Sequence, residues 1–237
     1  SGTLTFNDNT VDVICDPSVR FEYSGSSDLI KLDSMSSGYP RFEFGWLYQT
    51  GSKQGVAIRV HGATLINCKV HGQIHNFDKA LYIDADSDET PTGIWFEFSN
   101  IDACNTAILF RAGTTSSGWI QGVSIRGLYV VNCLHFLDFD NPSDYTSNLH
   151  ANYIEVDNVD GYNLASSTGI RNINKYIGCN KVVVTDYFGS FGSYSIDGGS
   201  YGINNLVAEL AFQDWYLDSS DIKLEGIGNR IINTGQY

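Results

Sequence analysis

Nine short apolar stretches recur along this chain every 24 to 32 residues, and that recurrence constrains the fold more than any local motif. Anchored on Leu4, Ile30, Ala57, Leu81, Ile108, Phe136, Leu164, Ile196 and Ile222, the successive gaps are 26, 27, 24, 27, 28, 28, 32 and 26 residues. Self-similarity at such a period belongs to solenoids, propellers and arrays. Within each period apolar residues alternate with polar ones, as a strand with one buried face requires, and no window carries a sustained helical stripe. The repeating unit is therefore built of strands.

After each anchor come a variable loop and a second alternating stretch. Four consecutive periods end this stretch on Asn76-Phe77, Asn100-Ile101, Asn132-Cys133 and Asn158-Val159. In stacked coils one position per coil lands above its counterpart, and a turn asparagine can bond neighbouring backbone and stack. The spacing thus predicts an asparagine ladder at a coil corner. Cys15, Cys68, Cys104, Cys133 and Cys179 are too widely spaced for a zinc site or a short-loop disulfide framework. They read as small buried core residues, with a disulfide between adjacent coils as the alternative.

The period runs end to end, so a single elongated domain over residues 1–237 is expected. With 24 Gly, 4 Pro, 14 Tyr and 13 Phe, and 17% charged residues, the composition is that of a turn-rich all-β chain. The net charge of −13 and the singly scattered Lys and Arg exclude a basic stripe that could neutralise phosphates, which argues against nucleic acid. No apolar run approaches the ~18–20 residues of a membrane span, and no signal-peptide pattern opens the chain. Neither nucleic acid nor membrane is expected as a partner.

The phrases Ile74-His75-Asn76-Phe77-Asp78-Lys79-Ala80-Leu81-Tyr82-Ile83 and Asn100-Ile101-Asp102-Ala103-Cys104-Asn105-Thr106-Ala107-Ile108-Leu109-Phe110 carry a resemblance. Coils of this length, with apolar-x-apolar strands and Asn at a corner, resemble the right-handed parallel β-helix of the pectate-lyase-like superfamily. They are similar to stretches in β-helical spikes and fibres of tailed viruses of bacteria and archaea. The resemblance implies an all-β solenoid of about nine coils and a place on a virion surface or outside the cell. At one strand spacing of ~4.8 Å per coil, such a rod is roughly 40 Å long.

Enzymes of that superfamily indicate where chemistry would lie. Polygalacturonase-like hydrolases carry an adjacent aspartate pair followed by His-Gly, and this chain has no Asp-Asp pair, while His61-Gly62 and His71-Gly72 precede most acidic residues. The candidate catalytic groups are Asp84, Asp86, Arg111, Asp138 and Asp140, which follow successive anchors and are expected on one side of the rod. Two carboxyls ~5–9.5 Å apart would serve glycoside cleavage. Asp84, Asp86 and Asp88 have the alternate spacing of a calcium loop but lack its glycine and distal glutamate, so calcium is a weak expectation and no other cofactor is implied.

Aromatic residues supply the ligand-binding candidates, because exposed rings stack on sugars. In Ile94-Trp95-Phe96-Glu97-Phe98 the alternation turns Trp95 and Glu97 outward and the other three inward. Tyr201 and Trp215 join them from the C-terminal third. The same parity argument places Trp46 with Phe42 and Phe44, in the core. The expected function is a virion spike or fibre module that binds a host cell-surface polysaccharide without cleaving it. The alternatives are a tailspike-like lyase or hydrolase and a structural surface decoration. A homotrimer is expected from the resemblance and from the apolar run Leu206–Phe212.

Overall fold

In the computed structural model the described residues form two parallel β-sheets and no helix. The structure describes residues 2–8, 12–34, 40–64, 66–85, 91–111, 119–140, 150–162, 168–171, 180–189, 196–197, 207–212, 222–223 and 230–233, with backbone alone at Trp119, Gln121, Leu128 and from Phe139 onward. Sheet one stacks nine strands in chain order, from Leu4–Phe6 through Asp28–Asp33, Val56–His61, Lys79–Asp84, Thr106–Arg111 and His135–Asp140 to Ile222–Lys223. Sheet two holds eleven: nine stack in chain order, among them Arg41–Phe44, Asn67–His75, Thr92–Asp102, Trp119–Val131 and His150–Tyr162, while Arg20–Tyr23 and Trp46–Gln49 lie off this path, paired with each other, and Trp46–Gln49 pairs also with Asn67–His75. The chain passes alternately from one sheet to the other, which makes it a parallel β-solenoid. Side-chain burial is described as far as Asp138, and the core over that stretch spans about four turns of the solenoid.

Register explains the recurrence. Leu4, Ile30, Ile58, Leu81, Ile108, Leu137, Ile170, Ile196 and Ile222 are partners from strand to strand along sheet one. Three of the expected anchors shift: Ile58 replaces Ala57, Leu137 replaces Phe136, and Ile170 replaces Leu164. Ala57 and Ile58 are both buried, as are Phe136 and Leu137, so apolarity alone does not tell which of the pair is in line. On sheet two Phe42, Cys68, Phe96 and Ile125 form the matching inner row. All four are buried, and a buried Phe or Ile side chain contributes roughly 1.5–3 kcal/mol relative to exposure.

The corner after sheet two is a left-handed turn. Asn76, Ala103 and Asn132 occupy it in successive coils with φ of 65°, 56° and 53°. Asn76 N donates to Asp102 O at 3.1 Å and Ala103 N to Val131 O at 2.9 Å, which ties each corner to the next coil. Asparagine tolerates this conformation. Asn100 and Asn158, expected in the same ladder, lie instead within the strands Thr92–Asp102 and His150–Tyr162. The corner in the coil of Asn100 falls three residues later, on Ala103.

Phe77, Cys104 and Cys133 follow these corner residues and point into the core. Cys15, Cys68, Cys104 and Cys133 are free thiols. Cys68, Cys104 and Cys133 are buried, as expected of core residues, while Cys15 is half-buried at its edge; Cys179 lies outside the described residues. Burial pushes the Cys68 thiol far above its ordinary value, so it stays protonated and inert.

Trp46 corrects the parity argument, because it is 39% exposed on the outer face of sheet two. Gly45 breaks the strand between Phe44 and Trp46, and alternation restarts with Leu47 inward. A Cβ at Gly45 would lie 2.2 Å from the carbonyl oxygen of Val19. The turn of the preceding coil presses on that backbone, and only glycine leaves it room.

Candidate functional site

The last residues of the sheet-one strands bring three of the expected groups together. Arg111 is the register partner of Asp84 on one side and of Asp140 on the other, with His61 beyond Asp84 and Asp33 beyond His61. Acidic and basic residues thus alternate along one outer row. One row earlier, Arg59, Tyr82, Leu109 and Asp138 are partners. The expected side of the rod therefore collects Asp84, Arg111, Asp138 and the backbone of Asp140, whereas Asp86 and Asp88 lie outside the described residues.

Asp84 is held tightly. Arg59 donates to it through Nε, at 2.9 Å, and through Nη2, while His61 Nδ1 stands 3.1 Å from Oδ2. Its side chain is nearly buried, and the paired carboxylates of Asp84 and Asp28 keep the Arg59 guanidinium charged. Such a two-point clamp fixes a carboxylate in place. Among the described residues no group of three or more His, Cys, Asp and Glu is arranged to hold a metal ion.

Beside this row opens a groove of about 420 Å³, within the span of small-ligand sites. Three consecutive coils build its floor with the pairs Asp78-Lys79, Asn105-Thr106 and Leu134-His135, and Leu109 and Asp138 close one wall. Backbone bonds set the stacking: Thr106 N donates to Asp78 O, and His135 N to Asn105 O, both at 2.9 Å. Asn105 Nδ2 donates to Asp78 Oδ1 at 2.8 Å, and Lys79 pairs with the same carboxylate. Burial raises the Asp78 carboxyl, but these two hydrogen bonds and the lysine charge outweigh it and hold the group below its ordinary value. Leu134 is 42% exposed at the rim, while Asp138 is buried. Donors, acceptors and apolar surface thus converge in one concavity.

Of the residues lining the groove, sequence reasoning singled out Asp138 alone, as a catalytic candidate. The groove's signal is positional: Lys79, Thr106 and His135 each stand two residues before the residue in line, Leu81, Ile108 and Leu137.

On sheet two, Trp95 and Glu97 point outward and Ile94, Phe96 and Phe98 inward, as the alternation predicts. Trp95 is 40% exposed, with the Arg126 guanidinium 4.7 Å from its ring centre. Glu97 pairs with Lys69 in the neighbouring coil. Tyr201 and Trp215 lie outside the described residues. The strand Val207–Phe212, within the apolar run Leu206–Phe212, is paired on both edges, with Asn180–Gly189 and Arg230–Asn233. Compared with known protein families, with curated proteins and with solved structures, the chain matches none.

Proposed function

We propose that this chain is a β-solenoid module that binds a cell-surface polysaccharide without cleaving it, of the kind carried by virion spikes and fibres. The observation that carries the reading is the groove on sheet one. It offers hydroxyl-seeking groups from Lys79, Asn105, Thr106, His135 and Asp138 beside the apolar edges of Leu109 and Leu134. Sugars present that same mixture of hydroxyls and C–H faces. Asp84, the first catalytic candidate, is engaged by Arg59 and His61, which favours binding over turnover.

Leu134→Lys tests the reading, since an exposed rim residue can be replaced without loss of fold. Isothermal titration with the polysaccharide that the wild type retains is expected to show markedly weaker binding in the variant. Unchanged affinity would remove the groove from the account. A position on a virion surface or outside the cell, and assembly as a homotrimer, belong to the same reading. Light scattering at micromolar concentration is then expected to give three times the chain mass, and a monomer would contradict it.

A further inference from the structure

We infer that Trp46 and the groups beside it form a second sugar-binding surface, on sheet two, which accepts the C–H face of a neutral pyranose ring. The inference rests on the reading of the chain as a glycan binder, but its site shares no residue with the groove. Trp46 lies flat on the sheet: a Cβ at Gly72 would sit 2.6 Å from its Cγ and 2.7 Å from its Cδ2. One face of the indole therefore rests on bare backbone. With 39% of the residue exposed, the other face is open to water. A broad ring pinned in this way costs little entropy when a ligand stacks on it. Trp95 differs, because Arg126 stands over its ring.

The polar groups next to Trp46 hold one another in place. Tyr48, its ring centre 6.3 Å from that of Trp46, donates its hydroxyl to Gln73 Oε1 at 2.9 Å. Gln73 Nε2 donates to Asp102 Oδ2 at 2.9 Å, and His75 Nδ1 lies 3.0 Å from the same oxygen. Asn132 Nδ2 donates to Asp102 Oδ1 at 2.9 Å. The His75 ring is thereby oriented by its Nδ1, and its side chain is 33% exposed, so Nε2 is the atom that meets a sugar hydroxyl. Partners fixed before binding are the condition for selective recognition of hydroxyls.

Charge decides the class of sugar. The Arg20 guanidinium stacks 3.8 Å above the Tyr48 ring and is 3.2 Å from Glu22, so its charge is already matched. The Asp102 carboxylate lies at the centre of this network, and the chain carries a net charge of −13. A uronate would meet repulsion here, and a neutral ring would not.

Tryptophan fluorescence titration with neutral gluco-, galacto- and manno-oligosaccharides, and with oligogalacturonate, tests the inference. At least one neutral oligosaccharide is expected to change the emission. Trp46→Ala should weaken its binding roughly three- to tenfold, and Gly72→Ala, which lifts the indole off the sheet, should do the same with the circular dichroism spectrum unchanged. Leu134→Lys is expected to leave this response in place. Full affinity in both Trp46→Ala and Gly72→Ala, or preference for the uronate, would overturn the inference. If Leu134→Lys alone abolishes binding, the groove reading survives and this one falls; if the wild type binds no neutral oligosaccharide, this inference falls, while the groove reading is decided by the polysaccharide titration.

Discussion

Replacing Ala103 by Asn is expected to stabilise the fold by about 1 kcal/mol. Ala103 has φ of 56° at the corner where the neighbouring coils use Asn76 and Asn132. A residue with a Cβ in this left-handed region is about 1–2 kcal/mol above its right-handed form. Asparagine reduces that cost, and its side chain can cap the turn. Asn76 shows how, since its Nδ2 donates to the carbonyls of Gln49 at 3.2 Å and Gly51 at 2.8 Å in the preceding coil. Glycine relieves the same strain but loses more freedom on folding, about 0.5–1 kcal/mol, so Ala103→Gly should be close to neutral. For a chain of this size 1 kcal/mol moves the melting temperature by roughly 2–4 °C. Differential scanning calorimetry of the three proteins under one buffer gives the comparison. An Asn variant that melts at or below the wild type, with Gly equally low, would show that the corner carries no strain and refute the reasoning.

Removing Arg59 leaves the Asp84 carboxylate buried without its bidentate partner, so Arg59→Met is expected to cost about 3–5 kcal/mol. Adding Asp84→Asn to that variant should recover a large part of the loss in urea unfolding, and independent, additive effects would contradict the clamp. Stability should also fall on acidification. Burial raises the Asp33 and Asp78 carboxyls, but hydrogen bonds from Lys31 and Ser34 to Asp33, and from Lys79 and Asn105 to Asp78, outweigh it and hold both below their ordinary value. Their contribution is present above the unfolded-state value near pH ~4 and is lost as pH falls through the lower folded values. Asp28, raised by burial, acts in the opposite sense, because acid relieves the cost of its buried charge. Thermal melts between pH 2 and 6 are expected to show a net decline that is shallower in Asp78→Asn; the same slope in the variant would assign the decline elsewhere.

The solenoid was legible because its core repeats at a fixed period and the strands alternate. Where two neighbours are both apolar and both buried, as with Ala57 and Ile58, the period locates the strand but leaves its register open by one residue. Trp46 shows a different limit. Its parity followed from an unbroken strand, and the break at Gly45 arises from contact with Val19, a residue of another coil. Asn100 looked like a corner because its local context matches that of Asn76, yet the strand runs on to Asp102. The site was partly readable for the same reason as the core. Residues at a constant offset from the repeat, such as Asp84 and Arg111, fall in one row. A groove made by three coils together depends on side-chain depth, so the constant offset aligns Lys79, Thr106 and His135 without marking a concavity, and Leu134 gave no sign of it in one dimension.

Incubation of the purified protein with a panel of neutral and acidic polysaccharides, with and without calcium, followed by measurement of both retention and product size, tests the central claim most directly. The account predicts that at least one polymer is retained at full length and that calcium makes no difference. Shortened chains would establish a depolymerase and return Asp138 and Asp140 to the catalytic role, while no retention of any polymer would contradict the binding function itself.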